Sequence, residues 1–235
     1  KFIFYLLKSI NLEDMDSDTS VPGLNRNAAH KIEVSIPNKI EQNKISEKLE
    51  IFDLKIQNLE EQNSILETIA QKIFESWFID FEGETEFCNS ELGKIPKGWK
   101  PKKLATICTT QYGYTESANL KEIGPKFLRI TDINKQPWIN WKNVPFCKID
   151  KSNFKKYSLN QGDVIVSRMA DPGKAGIIED DIKAVFASYL VRIKMPTIEQ
   201  SYFIFYFLRS KIYLNYVWDM FVTINTYEVI IISYL

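Results

Sequence analysis

The chain has 235 residues, a formal net charge of zero, and 45% hydrophobic against 26% charged side chains, a balance that excludes wholesale disorder and leaves room for one large or two modest folded domains. Its apolar runs, "FIFYLL" near the start and "YFIFYFL" from Tyr202, are broken by Lys8 and Arg209, far short of the roughly 20 residues that a bilayer-spanning helix needs. Neither a membrane span nor a secretory signal is expected, and Cys88, Cys108 and Cys147 follow no metal-ligand or disulfide spacing, so the expectation is ordinary thiols in the cytoplasm.

The first element is "FIFYLLKS" at residues 2–9, and a near copy, "FIFYFLRS", recurs at residues 203–210, 201 positions later. The same aromatic octet is thus written twice in one chain. The chain starts at Lys1 rather than a methionine, which suggests a piece of a longer reading frame. In "SVPGLNRNAAHKIEVSIP", Gly23 and Asn25 suit a turn, while Ile32, Val34 and Ile36 alternate as in a strand. The segment is too short to build a core and reads as the close of a domain.

The strongest periodic signal follows. Ile45, Leu49, Phe52, Ile56, Leu59, Asn63, Leu66, Ala70, Ile73 and Trp77 recur at alternating intervals of four and three, the period of a coiled-coil seam rather than the broader stripe of a globular helix. Asn38 with Glu41 forms a capping pattern at the start, Pro37 precedes it, and Gly83 lies past the end. A helix of this length extends roughly 50 Å along the seam. Asn63, polar within an apolar row, is suited to fixing register and partner. No second heptad run is present, so the matching helix comes from another molecule or from sequence outside the chain, and a homodimer through antiparallel helices is expected.

Charge then changes sign along the chain. Residues 41–91 carry 13 acidic and 4 basic side chains, whereas residues 92–194 carry 19 basic and 9 acidic. The basic part suits a polyanion, with a solvated lysine-rich face as the plain alternative. "GKIPKGWKPKKL" opens this part, and short β-like runs follow at Phe127–Ile130, Val164–Val166 and Val185–Ile193, separated by breakers such as "DINKQP" and "ADPGKAG". The second octet then begins a helical run with Phe203, Phe207, Leu214 and Val217 on one face, which core packing explains better than a binding platform.

Little of this sequence suggests catalysis. His30 is the single histidine, which removes most triads and His-rich metal sites. "DPGKAG" lacks the spacing of a phosphate-binding loop, and no G-x-G-x-x-G is present. Asp163 or Asp171 with Asp181 and Lys183 could hold a divalent ion as in a nuclease, but such sets arise by chance in lysine-rich sequence. Candidate DNA contacts are better marked. Arg129, Thr131 and Asp132 in "RITDI", Ser167, Arg168 and Lys174 in "GDVIVSRMADPGKAG", and Tyr112, Tyr114 and Thr115 in "QYGYT" supply the donors, hydroxyls and rings that DNA recognition uses.

Taken in order, "SVPGLNRN…VSIPNKIEQNKISEKLEIFDLKIQNLEEQNSILETIAQKIFESWFIDFE", "ELGKIPKGWKPKKL", "FLRITDI", "LNQGDVIVSRMADPGKAG" and "YFIFYFLRS" resemble the DNA specificity (S) subunit of type I restriction–modification enzymes, the HsdS family, over residues 1–218. The resemblance implies an α+β target-recognition domain of mixed strands and helices attached to a long coiled-coil helix. It implies that residues 1–37 are the end of a first recognition domain, 38–82 the spacer helix, and 83–235 a second recognition domain. It further implies recognition of one half of a bipartite site on double-stranded DNA, and partnership with methyltransferase (M) and restriction (R) subunits. S-adenosylmethionine, ATP and Mg are then expected in those partners, with no cofactor and no active site in this chain. The sequence departs from the family pattern after "VWDM", where "FVTINTYEVIIISYL" replaces the glycine-containing segment and second long helix. A coiled-coil assembly module without DNA reading is the alternative.

Overall fold

The computed structural model describes residues 1–10, 26–133, 138–169, 173–222 and 230–233. The turn around Gly23, most of "DINKQP", the "ADP" of the later loop and most of the final stretch lie outside them. The chain divides into two compact units, Lys1–Asn63 and Ser64–Leu235.

In the first unit, the octet forms helix α1 (Phe2–Ser9). A single turn, α2 (Arg26–Ala29), comes next. The residues expected to alternate as a strand, Ile32 to Ile36, form none; alternation alone makes no ladder without a neighbouring strand to accept it. The long helix α3 (Lys39–Phe78) then begins, and Asn38 caps it by accepting a hydrogen bond from the Glu41 backbone N–H at 3.0 Å. α1 lies against this helix: the Lys1 ammonium meets Glu50 at 2.7 Å, and the Tyr5 hydroxyl donates to Asp53 at 2.8 Å. None of the α1 side chains is buried, so this copy of the octet is helical without being a core element.

The helix stops short of the expected residue 82. Phe81 and Gly83 both adopt positive φ, a turn that an α-helix cannot continue through, and glycine tolerates it without Cβ strain. A hairpin of β1 (Phe87–Ser90) and β2 (Gly93–Pro96) follows. Next come β3 (Lys100–Lys103), which pairs antiparallel with the final strand, the short turn α4 (Leu104–Ile107), and β4 (Thr109–Tyr112).

The remaining elements build the main core. They are β5 (Lys126–Leu128), α5 (Ile130–Ile133), α6 (Lys151–Tyr157), β6 (Val164–Ser167), β7 (Ala175–Ile177), β8 (Ala184–Phe186), β9 (Leu190–Lys194), α7 (Ile198–Leu208), α8 (Lys211–Val222) and β10 (Ile230–Ser233). An antiparallel sheet runs in the order β4-β9-β6-β7, and β5 pairs in parallel with β8. Every residue of β6 is buried, and its alternation feeds two cores. Val164 and Val166 pack with Ile193 against Ile204, Phe205 and Leu208 of α7, while Ile165 joins Leu128, Val144, Phe186 and Leu190.

Three expected segments differ in detail. The run at Phe127–Ile130 ends as a strand at Leu128 because the Asp132 carboxylate accepts the Arg129 backbone N–H at 2.9 Å and closes a helical turn instead. Val185–Ile193 is two strands, since residues 187–189 turn back and Leu190 N–H reaches the Ala187 carbonyl at 2.9 Å. The second octet does not start its helix: Thr197 does, accepting from Gln200 N–H, and the chain breaks at Arg209 and Ser210, so Leu214 and Val217 belong to the next helix.

Candidate nucleic-acid interface

The candidate site is built at one end of the four-stranded sheet. Tyr112 is the last residue of β4 and pairs with Val191 of β9; β6 runs along the other side of β9. Ser167 ends β6 and Arg168 follows it. The guanidinium of Arg168 reaches back over β9 and lies 4.7 Å above the ring of Tyr112, and both side chains are exposed. A guanidinium on an aromatic face gains electrostatic and dispersion attraction without using any of its N–H donors.

The three nominated segments meet at a feature the sequence did not mark, the turn at residues 187–189. The Tyr114 N–H donates to the Phe186 carbonyl at 2.8 Å, the Ala187 N–H to the Leu128 carbonyl at 2.9 Å, and the Arg168 N–H to the Tyr189 carbonyl at 3.1 Å. Gly113 lets the backbones come this close, because a Cβ there would lie 2.2 Å from the Ala187 carbonyl oxygen. The only signal in the sequence was the pair of small residues, Ala187 and Ser188, interrupting an otherwise β-rich run.

Around this turn the nominated residues divide. Tyr112, Thr115, Thr131, Arg168 and Lys174 are exposed. Tyr114 is half-buried, its ring centroid 5.4 Å from that of Tyr157. Ser167 is buried, and its role is internal: its Oγ accepts the Lys174 N–H at 3.1 Å, and its backbone N–H donates to the Lys174 carbonyl at 2.9 Å. It closes the base of the loop that presents Arg168. Arg129 is bound to Asp132 by Nε at 3.1 Å and Nη2 at 3.0 Å, and that pairing raises its pKa above the ordinary arginine value. Burial raises the Tyr189 hydroxyl, with Arg129 acting in the opposite sense.

Asp163, a candidate metal ligand in the sequence, is 2% exposed and faces Arg192, whose Nη1 lies 3.4 Å from it. Arg192 also donates to the Ser158 carbonyl at 2.6 Å and to Gln111, tying the end of α6 to β4. Asp171 lies outside the described residues. Among the described residues, no group of three His, Cys, Asp or Glu side chains is placed to hold a metal ion, and no helix is long and apolar enough to cross a membrane.

The long helix presents two stripes, only one of which its period announced. Glu67, Gln71, Phe74 and Phe78 face the domain. Glu67 pairs with Arg209 at 3.2 Å, the Gln71 amide donates to the Tyr206 carbonyl at 3.2 Å, and Phe74 packs on Phe203 and Tyr206 with centroids 5.2 and 5.8 Å away. The heptad residues lie on another face. Ile45, Leu49, Phe52, Ile56, Leu59, Leu66, Ile73 and Trp77 are all exposed apolar side chains; Asn63 is exposed and Ala70 half-buried.

The fold of this chain is shared with a solved structure. The crystal structure of a type I restriction–modification S subunit from M. genitalium matches 99% of this chain and 60% of its own length, with a TM-score of 0.53 at 14% identity. Two Methanocaldococcus jannaschii proteins are similar in sequence. The type I restriction enzyme MjaIX specificity subunit is 36% identical over 144 residues, covering 54% of this chain and 33% of that protein. The MjaVIII specificity subunit is 27% identical over 223 residues, covering 89% of this chain and 52% of that protein. No protein-family model matches. The chain is thus similar in sequence to type I restriction enzyme specificity subunits, and it spans a third to about half of the length of these relatives.

Proposed function

We propose that this chain is a non-catalytic DNA sequence-recognition component of a type I restriction–modification system. In this reading residues 83–235 are a target-recognition domain that reads one half of a bipartite site on double-stranded DNA, residues 38–82 are the spacer helix, and residues 1–37 close a preceding recognition domain. M subunits, using S-adenosylmethionine, methylate the site that this chain selects, and R subunits supply the ATP- and Mg-dependent activities, all in the cytoplasm. The observation that carries the reading is the convergence of exposed Tyr112, Arg168 and Lys174 at one sheet end, in a domain whose relatives are named specificity subunits.

Charge reversal at Arg168 and Lys174, the exposed cations of the site, tests it. Binding of duplex DNA at low salt should fall and its salt dependence should flatten, by roughly 0.9 in log–log slope for each phosphate no longer neutralised. Unchanged affinity would overturn the DNA-reading assignment and favour the assembly module.

The exposed seam takes a second copy of the chain in the same reading. Antiparallel pairing sets Ile45 of one copy opposite Trp77 of the other, Leu49 opposite Ile73, Phe52 opposite Ala70, Ile56 opposite Leu66, and Leu59 opposite Asn63. Each large side chain then meets a seam residue, and the bulkiest central one meets the smallest. A monomeric mass by light scattering at micromolar concentration would refute the homodimer.

A further inference from the structure

We infer that Arg168, held over the ring of Tyr112, reads a guanine through the major groove, with Tyr112 as the positioning residue. The inference rests on the DNA-reading proposal and narrows it to one base.

The arginines of the second unit differ in what they are free to do. Arg129 has Nε and Nη2 on the Asp132 carboxylate. Arg192 is largely buried and spent on Asp163, Gln111 and the Ser158 carbonyl. Arg209 is paired with Glu67 at 3.2 Å and packed over Phe205. Arg168 is exposed, its guanidinium rests on the face of Tyr112, and no carboxylate is paired with it among the described residues. Stacking leaves its in-plane N–H donors available, and two parallel donors match O6 and N7 of guanine, the commonest specific arginine–base pairing.

Its backbone is anchored by hydrogen bonds. Arg168 follows a fully buried strand, and its own N–H is fixed to the Tyr189 carbonyl at 3.1 Å. The loop beyond is closed by Gly173 N–H on the Ser167 carbonyl at 3.0 Å and by Lys174 N–H on the Ser167 hydroxyl. Tyr112 is held by β4 on β9. A flexible side chain pinned in this way loses less freedom on binding, which favours a directional hydrogen bond to a base over a diffuse attraction to phosphate. The exposed Lys174, a mobile point charge, suits the phosphate role.

The test is selection from a randomised duplex pool by the chain reconstituted with its M subunit. The wild type should enrich a motif containing an invariant G·C pair. Arg168→Gln should reduce preference at that pair by roughly 5- to 150-fold while the other motif positions persist, and Arg168→Lys should reduce it too. Tyr112→Phe should keep the preference and Tyr112→Ala should weaken it, although Arg168 and its donors remain in both; that split separates positioning from direct base reading by the tyrosine hydroxyl. If the wild type enriches no motif, the DNA-reading proposal fails and this inference with it. If the wild type enriches a motif that Arg168→Gln and Arg168→Lys retain in full, this inference alone is wrong.

Discussion

Gly113→Ala probes the point on which the site geometry depends. The added methyl would lie 2.2 Å from the Ala187 carbonyl oxygen and 2.4 Å from that of Phe186, and backbone atoms on both sides leave no flexible group to swing away. Relief requires the end of β4 to withdraw by roughly 1 Å, a shift that packed interiors resist at about 1–3 kcal/mol. The same movement strains the hydrogen bonds from Tyr114 N–H to Phe186 at 2.8 Å and from Gly113 N–H to Leu190 at 3.2 Å, each contributing about 1 kcal/mol. The sum is about 3–5 kcal/mol, a large part of the stability of an ordinary domain. Urea unfolding followed by far-UV circular dichroism should show a lower midpoint at unchanged slope. Duplex binding at low salt should weaken in parallel, since Tyr112 moves with the strand. An unfolding free energy within about 0.5 kcal/mol of wild type would show that the backbones do not approach in this way.

Other parts of the structure give further expected outcomes. Phe74→Ala should cost about 3–5 kcal/mol of unfolding free energy, because Phe74 is buried against Phe203 and Tyr206. Trp77→Ala should leave unfolding nearly unchanged and weaken self-association in sedimentation; equal destabilisation by the two substitutions would mean that the two stripes are wrongly divided. Burial pushes the Tyr213 hydroxyl up to about 12 from its ordinary value of 10.0. A raised folded-state pKa stabilises below pH 10 and that contribution fades as pH climbs from 10 to 12, on the order of 2 kcal/mol. Tyr213→Phe should therefore show a smaller drop in stability across that window, and an alkaline titration identical to wild type would contradict this. Burial also pushes the Cys147 thiol up to about 11, whereas Cys88 is exposed. At pH 8 a thiol reagent should label Cys88 rapidly and Cys147 only on unfolding, and rapid labelling of both would exclude the buried position.

The parts legible in the sequence were those with local causes. The long helix declares itself by period and by the Asn38 cap, and it runs from Lys39 to Phe78. The mixed α+β character follows from short β-rich runs between turn residues. What escaped depends on distant neighbours. Phe74 and Phe78 fall between heptad positions and gain their role from distant rings, Phe203 and Tyr206 of α7 and Trp99. The turn at Ala187 carries no glycine or proline, so a run of β-formers concealed two strands. Arg129 and Ser167 read as free donors in "RITDI" and "VIVSR", yet the fold commits the first to Asp132 and the second to Lys174. Residue type offers a donor; only tertiary neighbours decide whether it is already used.

The most direct test of the account is site-selective methylation. DNA carrying the enriched half-site should be methylated by the M subunit with this chain present, and the selectivity should disappear when the chain is withheld or carries reversed charges at Arg168 and Lys174. Methylation of the same sites at the same rate without the chain would contradict the role in sequence recognition proposed for it.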